Sequence, residues 1–194
     1  MRTVLLIAWV LLLPIGGLYH LMAGSVHREH DAIGDSLSEA RLLVHQEKWP
    51  EALPLFESAL EGMPEEMTAA ARQVRLETAL AKMNAAKLPE AHADLKSLLD
   101  ELLLDDAPDQ ALERGVRVAL ANSQFYMTWL MRLEGLPAEQ WEPEIESARQ
   151  NYRLLAESSV AETDSAKQKE NVEAAIRLAR MDLGDLQGLP LPNQ

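Results

Sequence analysis

Two imidazoles and a carboxylate, His27, His30 and Asp31, form a short cluster that could in principle hold a metal ion. Zinc sites built on nitrogen and oxygen need three or four ligands, with outer partners that fix each imidazole. No outer partner that would fix the imidazoles is in view and the trio stands beside the expected membrane exit, so it reads as solvated linker. His45 and His92 stand far apart and make no ligand pair. The chain has no cysteine, hence no thiolate nucleophile, disulfide or cysteine metal site. Phosphate-binding loops, nucleophile elbows and the H-E-x-x-H pattern are also missing from the sequence. No catalytic residue, cofactor or metal is therefore expected. What remains is a concentration of rings: Phe125, Tyr126, Trp129, Trp141 and Tyr152 are five of the nine aromatic residues. Such rings normally pack on one another; any left partly exposed are interface anchors, with Arg132 and Arg149 as polar companions.

The elements that must carry these residues are helices. Apolar residues recur at helical spacing, as in Leu112, Val116, Ala119, Tyr126, Leu130 and Leu133, and no alternating run is long enough for a strand. Pro50, Pro64, Pro89 and Pro137 each precede acidic residues at the expected start of a helix, where proline costs little and carboxylates meet the positive dipole end. Ser36 with Glu39 forms a capping box that places the first soluble helix near Leu37. The spacing predicts helices near 36–47, 50–62, 64–86, 89–104, 108–134, 138–159 and 165–183. Short connections make neighbours antiparallel, and Gly184 and Gly188 are expected to end the last helix before a flexible tail, 184–194.

Residues 3–26 contain no Asp, Glu, Lys or Arg, which is the length an α-helix needs to cross a bilayer. They read as a signal anchor or a cleaved signal peptide (1–26), followed by a juxtamembrane linker (27–35). Retention is favoured because the uncharged stretch is longer than a signal requires. Either way Arg2 marks the cytoplasmic side and the rest of the chain is exported. The expected location is the cytoplasmic membrane, single-pass, with the domain on the periplasmic side, or the periplasm after cleavage. Setting aside Arg2, the one charged side chain of residues 1–24, takes the formal charge from −13 to −14. That field disfavours nucleic acid and suits a basic or apolar protein surface; it also keeps an exported domain soluble.

The chain repeats itself. Residues 37–63 align without gaps to residues 76–102 at an offset of 39, matching Leu37 with Leu76, Ala40 with Ala79, Lys48 with Lys87 and the corner Pro50-Glu51-Ala52 with Pro89-Glu90-Ala91. Small residues (Ala40, Ala52, Ala79, Ala91) let two helices approach, and a large one a turn later (Phe56, Leu95) fills the space beside the crossing. Ala40, Ala52, Phe56, Ala59 and Pro64, with Trp49 at the corner, resemble the tetratricopeptide repeat. The second copy departs from it at Leu98, and the offset exceeds the family's usual period of about 34. Gly135-Leu136-Pro137 marks a third corner whose flanks do not align.

The resemblance implies an all-α fold in which antiparallel hairpins stack as a short right-handed solenoid over 36–183. Its first helices would line a concave face that holds a protein or peptide. The corresponding positions are Leu37, Arg41, Val44 and His45, then Leu76, Leu80, Met83 and Asn84, a mostly apolar set without the cationic cluster that clamps acidic peptides. The same positions could instead touch the next helix. Tyr126, Trp129, Arg132 and Trp141 are the second candidate surface. The resulting expectation is a non-enzymatic, membrane-tethered adaptor. A self-associating structural protein of the envelope and an enzyme with an unfamiliar helical site are the alternatives, and a homo-oligomer is compatible with the first two.

Overall fold

The computed structural model describes residues 31–107, 109–159 and 161–187. Among these residues every regular element is helical. Residues 31–45 form α1, followed by α2 (Trp49–Gly62), a 3-10 turn (Glu65–Met67), α3 (Thr68–Asn84), α4 (Leu88–Leu103), α5 (Gln110–Leu133), α6 (Ala138–Ser158), α7 (Glu162–Arg180) and the short α8 (Leu183–Gln187). The chain divides into two compact units, Met1–Ala71 and Arg72–Gln194. Residues 1–30, which hold the expected leader (1–26) and His27 and His30 of the expected linker, lie outside the described residues, as do 188–194. No described helix is long and apolar enough to cross a membrane.

Beyond shifts of up to four residues, such as α3 starting at Thr68 after its 3-10 turn and α7 at Glu162, two regions differ from the sequence expectation. Residues 31–35, read as linker, are helical, so α1 runs through Ser36 and the Ser36–Glu39 pair is not its cap. Packing explains the extension: Ile33 is buried, and its side chain reaches to within 3.3 Å of the place a Cβ on Gly62 would occupy. The contact joins the first turns of α1 to the last residue of α2, which makes the pair antiparallel. At the other end Gly184 does not stop a helix. The chain leaves α7 after Arg180, and Gly184 lies inside α8, whose Leu186 is 1% exposed. Residues 184–187 therefore belong to the folded part, because one leucine has a hydrophobic cluster to join.

The hairpin corners share one backbone solution. Glu47 and Ala86, equivalent in the 39-residue alignment, both have φ of 59°, and Gly135 has 73°. Each left-handed residue is followed by a six-to-one hydrogen bond: Lys48 N–H to Leu43 O, Lys87 N–H to Lys82 O and Leu136 N–H to Met131 O, each 2.9 Å. This is the Schellman reversal, which satisfies carbonyls that a helix end leaves without partners. Pro50 and Pro89 then occupy the first turn of the following helix, where their missing N–H costs nothing. The corner also aligns the third hairpin: counting seven residues back gives Ala40, Ala79 and Thr128, all at or below 1% exposed. Thr128 can take the alanine position because its hydroxyl donates to Gln124 O at 2.9 Å inside the helix.

In the first unit Ala40, Ala52, Leu53, Phe56 and Ala59 form the buried set. In the second, α3, α4 and α5 share a cluster around Leu76, Leu95, Leu98, Leu102 and Val116. A second cluster joins α5 to α6, α7 and α8 through Ala121, Ala148, Tyr152, Leu155, Leu178 and Leu186. Burying a leucine or phenylalanine fully is worth about 1.5–3 kcal/mol, so these stripes supply most of the stability. Leu98, which departs from the family's alanine, is 1% exposed and simply fills more of the core.

Arg72 at the start of α3 bonds Glu101 and Asp105 at the end of α4, both at 2.7 Å, and Arg75 adds a second contact to Glu101. Lys82 meets Asp94 at the other end. The arginine hydrogen bonds hold the Glu101 and Asp105 carboxyls below their ordinary pKa values. A depressed folded-state pKa contributes stability above the unfolded value, near pH 4, and loses it as pH falls through the folded one. Acid titration is therefore expected to weaken the α3–α4 hairpin below about pH 4.5, and Arg72→Met to flatten that part of the pH–stability curve, followed by urea midpoints. At the corners, Ala86→Gly relieves a left-handed alanine at some cost in unfolded-chain entropy. A net gain of about 0.5–1 kcal/mol is expected, seen as a higher midpoint with unchanged slope.

Candidate binding groove

The odd-numbered helices of the second unit lie side by side. Leu76 on α3 meets α5 at Gly115, where an added Cβ would come within 3.2 Å of its Cδ2. Arg132 near the end of α5 donates to Leu178 O and Met181 O at the end of α7, so α5 and α7 run the same way. Between the three helices opens a hollow of about 300 Å³. Leu80, Met83 and Asn84 come from α3, Val118, Asn122, Phe125 and Tyr126 from α5, and Lys167, Gln168, Asn171 and Ala174 from α7; Tyr152 of α6 closes the floor. The α5 residues recur at three- and four-residue steps, which puts them on one face of a helix.

Chemically the hollow is aromatic and amide-rich. Phe125 and Tyr126 meet edge to face at 5.9 Å between ring centroids. The Tyr152 hydroxyl, almost entirely buried, donates to Asn122 Oδ1 at 2.8 Å. Burial, with Tyr126 as a smaller cause, pushes the Tyr152 pKa far up, so this hydroxyl stays protonated and keeps its donor role. Burial likewise raises Tyr126. Asn84 Nδ2 donates to Leu80 O at 2.9 Å, and Asn171 Nδ2 to Gln168 Oε1 at 3.1 Å. In a chain with 31 acidic side chains, none of the residues lining the hollow is Asp or Glu, and Lys167 is its single charge.

The back of the groove is pinned by a polar ladder between α5 and α6. Glu113 accepts from Arg117 at 2.7 Å, Arg117 donates to Asn151 at 3.2 Å, Asn151 to Gln124 at 3.2 Å, and Gln124 to Ser147 at 2.8 Å. Gln124 and Asn151 are buried, and their amides are paired across the interface as buried polar groups must be. Behind it, His92 of α4 approaches Glu144 of α6, Nε2 to Oε2 at 3.2 Å, without alignment for a hydrogen bond.

The sequence-derived candidates separate into four groups. Leu80, Met83, Asn84 and Tyr126 line the hollow, whereas Leu76 is buried in the α3–α4–α5 cluster. Trp129, Arg132 and Trp141 sit together elsewhere in the unit: Trp129 and Trp141 pack against the second cluster, and the Arg132 guanidinium lies 4.7 Å from the Trp141 ring centroid. Leu37, Arg41, Val44 and His45 belong to the first unit, with Leu37 and Val44 half-buried and Arg41 and His45 exposed. Val118, Asn122, Lys167, Gln168 and Asn171 escaped sequence reasoning, since amides on a helix carry no signal of their own. The one clue was that the stretch from Val118 to Met131 holds no charged residue.

Arg149 pairs with Glu146 at 2.7 Å within its own helix. Among the described residues no group of three His, Asp or Glu is placed to hold a metal. Comparison of the chain with protein-family models, curated proteins and solved structures finds no match.

Arg132 closes the end of α7 with a fork of charged hydrogen bonds and stacks on an indole. Burial lowers its pKa from the ordinary arginine value, and Asp182 opposes that shift. Arg132→Met is expected to cost about 2–3 kcal/mol and to speed hydrogen exchange over residues 178–187. Arg132→Lys restores little, because an ammonium cannot bridge two carbonyls as the planar fork does.

Proposed function

We propose that the chain is an exported, membrane-tethered adaptor of the tetratricopeptide-like kind, whose second unit holds a protein or peptide in the groove between α3, α5 and α7. The groove itself carries this reading: a concave, aromatic-floored hollow lined by the first helices of successive hairpins, the face the family resemblance assigns to ligands. Repetition of the left-handed corner at Glu47, Ala86 and Gly135 supports the stacked-hairpin part. The tether rests on the uncharged residues 3–26, and the acidic balance of the chain argues for a polypeptide over a nucleic acid. Non-enzymatic action follows from the sequence, where no nucleophile–base or metal constellation is written.

A photoreactive residue at Leu80 in the full chain, in native membranes, tests this. Crosslinks to a different polypeptide from position 80, and none from the exposed α4 position Lys96, are the expected outcome. Crosslinks only between copies of the chain would favour the self-associating envelope protein instead. The intact mass of the mature chain distinguishes a retained anchor from a cleaved leader.

A further inference from the structure

The hydrogen bonds inside the groove leave a particular pair of groups open. Asn122 uses its Oδ1 to accept from Tyr152, so its amide is turned with both Nδ2 hydrogens directed elsewhere, and no described residue accepts them. Asn84 is the reverse: its Nδ2 is spent on Leu80 O, and its Oδ1 has no donor among the described residues. One wall thus offers a donor and the other an acceptor, which is what a peptide group asks for through its C=O and N–H. A helical ligand has already paired those groups within itself; an extended one has not. The hollow, at about 300 Å³, also suits a few side chains over a helix 10–12 Å across.

Charge narrows the class further. An acidic segment meets the chain's net charge of −13. A basic one is drawn in at long range but finds no carboxylate in the lining, only Lys167, so its charge would be desolvated without a partner. Resting on the adaptor reading above, the geometry points to an extended, uncharged, apolar peptide segment as the occupant of this groove, its backbone bonded by Asn122 and Asn84 and its side chains seated on Phe125. Tyr152 acts as a positioning residue that fixes which way the Asn122 amide faces.

The test uses the full chain in detergent micelles and an array of end-capped decapeptides in three sets: uncharged and rich in Leu, Pro and Ala, the same with two lysines, and the same with two glutamates. Binding concentrated in the uncharged set is expected. N-methylation of alternate backbone nitrogens in the strongest binder should weaken it at least tenfold, and that penalty should shrink in Asn122→Ala or Asn84→Ala. Tyr152→Phe should weaken the same peptide with the helix content unchanged; if it unfolds, the half-buried Asn122 and Asn84 variants carry the test. Preference for the lysine or glutamate set, or an N-methyl penalty that the asparagine variants leave intact, overturns the inference while the adaptor reading stands. Silence of all three sets also overturns it, and silence together with no crosslink from position 80 removes both.

Discussion

Reversing a helix within three or four residues while keeping the two helices in contact is the constraint on which this molecule depends. A left-handed residue at the corner and a small residue seven positions earlier meet it at each of three places, Glu47 with Ala40, Ala86 with Ala79 and Gly135 with Thr128. Two of those corners carry a side chain in a conformation that favours glycine. The backbone cost is tolerated because Ala52, Phe56, Ala91 and Leu95 then land in the core. Without the reversal neither the stripes nor the alignment of α3, α5 and α7 would exist, and the groove is a product of that alignment.

Much of this was legible in the residues. Proline at a helix start and a repeated Pro-Glu-Ala corner are local signals with local causes, so the helices from Trp49 to Ser158 fall within a few residues of their expected limits. Misplaced boundaries came where a distant contact decided. Ile33 lengthens α1 toward its N-terminal side because Gly62 leaves room for it, and α8 forms because Leu186 has a cluster to enter. The third copy was hidden by its 49-residue spacing from the second, visible only once Ala86 and Gly135 are seen to share a φ.

The candidate site was half legible. Family resemblance singles out Leu80, Met83 and Asn84, and the aromatic run singles out Tyr126, all of which line the hollow. Trp129, Arg132 and Trp141 share that run but point into the junction of α5, α6 and α7, where cation and ring close a helix end. Sequence spacing cannot separate the two fates, because Tyr126 lies on the same helix as Trp129 and Arg132, a fraction of a turn away. Asn122 and Asn171 gain meaning only from what stands opposite them.

The polar ladder from Glu113 to Ser147 gives the groove unequal walls. Sliding α6 along α5 by one turn would break the three rungs that cross between them together, leaving buried amides without partners, so these two helices form a stiff post. The contacts described between α3 and α5 are apolar and side by side, Leu76 against Gly115, and apolar surfaces shift by small steps without losing directional bonds. Adjustment to ligands of different bulk therefore falls to the α3–α4 wall, while the donor on the post keeps its place. Such a receptor reads one fixed point and accommodates the rest.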